Sequence, residues 1–189
     1  MIEHKHWKRK STDGIEGQHI AIVGYSHYGD PQKDSDRFTH WALNKFIAGE
    51  PIGDQFFPPI QSYFGYDGRP DFWNHVDFFN FIPECFASVK KFATGDRALV
   101  ERSQKRFLKI LQLEKPDKVF VFSRKGWNQC PYTEEEKLVG HCNHLKSDSE
   151  DTWGTYDLGG HTVQACGFRH PLYADAKRVR RSVQEFLDL

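Results

Sequence analysis

The run His19-Ile-Ala-Ile-Val, stopped abruptly at Gly24, constrains this chain more than any other stretch. Its apolar residues do not alternate with polar ones, so a strand built from it has both faces covered. That is the condition of a parallel strand between helices, not of a sheet with one wet face. Asp117-Lys-Val-Phe-Val-Phe repeats the pattern with β-branched and aromatic residues, and residues 76–82 supply another candidate strand, ended by Pro83. Residues 153–156, the turn Asp157-Leu158-Gly159-Gly160 and residues 161–168 predict a hairpin whose second arm joins the same sheet.

Helical spacing of apolar residues separates these strands. Phe38, Trp41, Ala42, Leu43, Phe46 and Ile47 share one face of a helix predicted over 35–47, with Ser35 as its cap. Leu99, Val100, Phe107, Leu108, Ile110 and Leu111 mark a second over 96–112, and Val179, Val183, Phe186 and Leu187 a last one over 173–187. A short acidic helix is expected over 133–140 and an exposed loop over 144–151, while residues 53–70 show no clean period. Residues 1–18 are polar and read as a mobile or loosely docked arm, leaving 19–189 as one domain. Strands alternating with helices predict an α/β domain with a mainly parallel sheet covered on both faces. Such sheets bind ligands beyond the strand carboxyl ends, here the loops 25–30, 80–85, 123–127 and 169–173.

The balance of 26 basic against 26 acidic side chains gives no bulk field toward nucleic acid or acidic lipid, so a polyanion would need a local patch. Lys177, Arg178, Arg180 and Arg181 form one beside the last loop. No run approaches the roughly twenty apolar residues of a membrane span, and the first residues lack the apolar stretch of a secretory signal. No membrane partner and a cytoplasmic location are therefore expected. Cys85, Cys130, Cys142 and Cys166 contain no CxxC pair and read as reduced thiols. Cys130, His141, Cys142 and His144 are possible metal ligands, but adjacent His-Cys spacing suits one tetrahedral site poorly, so no metal and no cofactor is required.

Four short motifs stand in the predicted loops: Gly24-Tyr25-Ser26-His27-Tyr28-Gly29, Phe79-Asn80, the strand Lys118-Val-Phe-Val-Phe-Ser, and His170-Pro171. In order and placement they resemble the uracil-DNA glycosylase superfamily, with its water-activating GQDPYH, its LLLN, the strand before its third loop and its HPSP. The resemblance covers most of residues 19–189. It implies a three-layer α/β/α domain with a central, mainly parallel four-stranded sheet, acting on a uracil-like or deaminated base flipped from single- or double-stranded DNA.

Cleaving an N-glycosidic bond builds positive charge on the sugar and negative charge on the departing base, so a donor at the base oxygen lowers the barrier. The resemblance gives that role to His170. It gives reading of the base edge to Asn80, stacking to Phe38, exclusion of a 5-methyl group to Tyr28, and the remaining walls to Gly24, Tyr25 and His27. Leu172 or Tyr173 would be the wedge entering the emptied stack, and Arg178 and Arg181 would hold phosphates. Ser26 departs from the family's Asp and cannot hold the attacking water as an anion, though it can position it. His27 also replaces a proline.

Two other readings use the same residues. Ser26 and His170 could serve as nucleophile and base of an esterase-type hydrolase, although the Gly-Asp-Ser signature is absent and no Asp stands two or three residues before His170. Alternatively the fold holds a catalytically lapsed site that binds a nucleobase or nucleic acid without turnover.

Overall fold

The computed structural model describes residues 3–30, 34–52, 55–86, 96–131, 143–144 and 152–189. Strand β1 (Ile20–Gly24) is followed by the two-residue β2 (His27–Tyr28), then helices α1 (Phe38–Ile47) and α2 (Phe57–Tyr63). Strands β3 (Val76–Asn80) and β4 (Cys85–Phe86), helix α3 (Arg97–Glu114), β5 (Lys118–Val121) and α4 (Arg124–Gln129) come next. The chain closes with β6 (Asn143–His144), β7 (Thr152–Asp157), β8 (Thr162–Gly167) and α5 (Ala176–Leu187).

The main sheet runs β3-β1-β5-β8-β7-β6. Its first four strands are mutually parallel, with β1 central between β3 and β5. The expected total of four strands is corrected to five full strands and the two-residue β6. Gly159 and Gly160, both at positive φ, close the predicted hairpin tightly, so β7 pairs with β8 along its whole length and becomes an antiparallel extension.

The strand period of two sorts the buried residues onto two faces. Ile20, Ile22, Phe78, Phe120 and Phe122 meet Leu43 of α1, Ile60 of α2 and Val179, Val183 and Phe186 of α5. On the opposite face Ala21, Val23, Phe79, Val119 and Val121 meet Leu99, Phe107, Ile110 and Leu111 of α3. Helices thus cover both sides, as the unalternating strand runs require. Lys118, a charged residue in a buried strand, has its ammonium donate to the carbonyls of Phe186 and Leu187 at 2.7 and 2.6 Å, satisfying the last turn of α5.

Several helix ends differ from expectation for local reasons. Asp96 and Asp175 cap α3 and α5 by accepting from Leu99 N and Arg178 N. Ser35 does not cap α1, which starts at Phe38 after a turn in which Phe38 N donates to Ser35 O. Tyr173 belongs to a separate 3₁₀ turn, Pro171–Tyr173, because Ala174 is extended before Asp175 restarts the helix. The expected helix over 133–140, most of the loop over 144–151, and His141 and Cys142 lie outside the described residues.

The N-terminal segment, expected to be loosely docked, is packed. Trp7 is buried and pairs with Phe78 by two backbone hydrogen bonds of 2.7 and 2.9 Å, covering the open edge of β3. Its indole N–H donates to Trp73 O at 2.7 Å. Arg106, buried on α3, donates to His4 O at 2.6 Å and to Asn80 O at 3.0 Å, joining this segment to the end of β3. Among the described residues, no helix is long and apolar enough to cross a membrane.

Candidate functional site

At the carboxyl ends of the parallel strands the chain encloses a cavity of about 480 Å³. Its walls include Tyr25, Ser26, His27, Tyr28, Phe38, Asn80, Ser123, His170 and Tyr173, so each of the four predicted loops contributes. The small pair β2–β4, with His27 beside Cys85 and Tyr28 beside Phe86, ties the first loop to the second outside the main sheet. Ser123 caps α4 by accepting from Gly126 N at 3.0 Å, which turns the third loop away and keeps its start in the wall.

Gly24, expected in the wall, is not among the residues that line the cavity; it pairs in register with Asn80, which does. A β-carbon at Gly24 would fall 2.2 Å from Asn80 Oδ1 and 3.1 Å from Phe56 Cζ. The glycine therefore lets the Asn80 carboxamide fold over the end of β1. Asn80 Nδ2 and Ser26 Oγ are both buried without a hydrogen-bond partner among the described residues. Two orphaned polar groups in the wall of one cavity leave donor and acceptor capacity for a polar ligand, since an unmet buried polar group costs about 1–3 kcal/mol.

His170 is placed by the turn it begins. The Leu172 N–H donates to its Nδ1 at 3.2 Å and the Tyr173 N–H to its carbonyl at 2.9 Å. With Nδ1 accepting, Nε2 carries the proton, and burial holds the imidazole below the usual histidine range. At neutral pH the ring is thus an uncharged donor. It makes no hydrogen bond to Ser26 Oγ, and no carboxylate hydrogen-bonds to it among the described residues.

His27 is held more strongly. Its Nε2 is 3.0 Å from Thr39 Oγ1, its ring packs 4.8 Å from that of Phe38 and 5.3 Å from that of His4. Burial, with the nearby His4, pushes its pKa down to about 3. The unfolded chain protonates His27 near 6.5 and the folded chain only near 3, so the unfolded state binds the extra proton between those values. Stability is then full above about 6.5 and declines as pH falls toward 3, by at most about 1.4 kcal/mol per pH unit from this residue. Urea unfolding at stepped pH should show that decline, and a His27→Gln variant should show a shallower one; equal slopes would contradict it.

Some predicted residues stand apart from the cavity. Leu172 is exposed beside Tyr173 at the mouth, while Arg178 and Arg181 lie on α5 and do not line the cavity. Phe56 is a wall residue that sequence reasoning missed. Its ring sits 5.5 Å from His170, 5.8 Å from Phe78 and against Gly24, whereas Phe38 packs among His4, His27 and Trp41. The only sequence signal was Phe56-Phe57-Pro58-Pro59, with Pro58 suited to the first turn of a helix. Trp41, placed by spacing on the buried face of α1, is instead half exposed at the rim.

Fold and site define an α/β protein with a polar, ring-walled pocket at the ends of its parallel strands. No protein-family model and no curated protein matches the chain. Among solved structures, a domain of unknown function from Bordetella bronchiseptica, crystallised as a domain-swapped dimer with bound citrate, is similar at TM-score 0.41 and 9% identity. The match covers 89% of this chain and 41% of that one.

Proposed function

We propose that this chain is a glycosylase-like hydrolase of the uracil-DNA glycosylase type, which releases a uracil-like or deaminated base flipped from DNA. The observation that carries the reading is the convergence of Ser26, Asn80 and His170 on one cavity walled by aromatic rings, with Ser26 Oγ and Asn80 Nδ2 unpartnered among the described residues. A planar base has two faces to stack and one edge of donors and acceptors to satisfy, and this wall has groups for both. Phe56 is the better stacking ring, and Asn80 reads the base edge.

In the reaction the bond between the sugar C1′ and the base nitrogen breaks, and its electrons leave with the base. The His170 Nε2–H donates to the base carbonyl oxygen on which that charge collects. A water oxygen bonds to C1′ and its proton passes to solvent. Ser26, a neutral hydroxyl, orients that water without ionising. The esterase-type alternative needs a hydrogen bond from Ser26 to His170, which the site lacks.

The purified protein, incubated with single- and double-stranded DNA carrying uracil, hypoxanthine or xanthine, is expected to leave abasic sites that alkali converts to strand breaks. Intact strands from every substrate would overturn turnover. If free uracil still bound in titration, the lapsed binding module would stand in its place.

A further inference from the structure

Beside the base pocket lies a second depression of about 520 Å³, lined by Lys5, Arg37, His40, Trp41 and Asn44. Trp41 lines both cavities and is 50% exposed, a large apolar ring left at the surface where the two meet. Phe38, 5.3 Å away centre to centre, and the Lys45 ammonium, 5.3 Å from the indole centroid, hold that ring in place. On the other sides of the pocket mouth Tyr28 and Tyr173 are also exposed, at 44% and 73%.

We propose that this groove carries the stretch of single-stranded DNA next to the extruded base, with the adjacent base stacked on Trp41. The assignment rests on the base-pocket reading and gives it a strand form. A nucleotide whose neighbour has been drawn into a pocket loses a stacking partner, and an exposed indole at the pocket rim restores one. In a duplex the complementary strand holds that base paired and aligned with the helix axis, so it cannot turn its face to an indole at the pocket rim, whereas an unpaired base can; the groove therefore takes an unpaired strand.

Charge supports the same occupant at modest strength. Lys5, Arg37 and Lys45 stand against Asp36, which pairs with Lys5 at 2.6 Å, and Glu50, which pairs with Lys45 at 3.1 Å. Both pairs are exposed and hold little energy, so a phosphate can replace either carboxylate. Three cations against two carboxylates leave a surplus of one, so stacking carries most of the affinity. Binding should accordingly weaken only gently with salt, with a slope of about −0.7 in log K against log salt for one phosphate.

The test is fluorescence anisotropy of a labelled oligothymidylate, which holds no target base, with its duplex as the comparison. Tighter binding of the single strand than of the duplex is expected, with Trp41→Ala weakening the single strand about tenfold and Trp41→Phe retaining most of the affinity. Arg37→Glu, at an exposed position, should weaken binding and flatten the salt dependence. Oligothymidylate bound by both Trp41→Ala and Arg37→Glu as tightly as by the unaltered protein, or a duplex bound as tightly as the single strand, would overturn the groove. The pocket is read separately, by titrating free uracil into the unaltered protein and into Asn80→Ala. Loss of discrimination there counts against the pocket and leaves the oligothymidylate result standing.

Discussion

Replacing His170 with alanine is expected to slow base release by about 10²- to 10³-fold, the usual cost of removing one donor aimed at developing negative charge. Ser26→Ala should cost much less, because its hydroxyl only positions water and has no hydrogen bond to lose. Single-turnover release from uracil-containing DNA checks both. An esterase-type mechanism predicts the opposite pattern, equal collapse in the two variants together with turnover of a small ester. Burial holds the His170 imidazole below its ordinary value of 6.5, so the neutral ring predominates at neutral pH. Release should therefore not gain from acidification through that range. At lower pH the added proton must sit on Nδ1, which then no longer accepts from Leu172 N. A rate that rose as pH fell from 7.5 toward 6 would show that charged His170 is the working form.

What the sequence disclosed about this site depended on how each residue is held. β1 and β5 were legible because every residue in them is buried, so the runs are apolar apart from Lys118, whose ammonium reaches the carbonyls at the end of α5. The loops at their ends follow from topology, and Ser26, Asn80 and His170 stand in them. Phe56 was not legible: it precedes a two-turn helix with two prolines in its first turn, too short for a period to show. Trp41 was misplaced because, at 100° per residue, it stands about 150° round α1 from the face on which Thr39, Ala42 and Leu43 are buried. Trp7 and Ile15 were hidden among polar residues. Each fills a single gap, Trp7 on the edge of β3, and isolated plugs leave no repeating signal.

The sharpest test of the site's geometry is Gly24→Ala, the smallest change available. Gly24 has no left-handed backbone, so the variant is not strained in its own dihedrals. The added β-carbon would instead lie 2.2 Å from Asn80 Oδ1, far inside van der Waals contact, and close on Phe56. The Asn80 backbone cannot retreat, because its register with Gly24 and the hydrogen bond from Arg106 to its carbonyl hold it. Only the carboxamide can move, and it must move out of the position from which it reads a base. Base binding and release should fall about 100-fold or more, with a loss of about 1–3 kcal/mol in unfolding free energy from the overpacked contact. Asn80→Ala should abolish recognition as fully but with little cost in stability, since its Nδ2 is already unpartnered. Combining the two removes the oxygen that the new methyl strikes. The double variant should then be more stable than Gly24→Ala alone, by a coupling of about 1 kcal/mol, although it remains inactive. Additive losses in denaturant unfolding would mean that the Asn80 side chain does not lie over Gly24, and that the base edge is read from elsewhere in the wall.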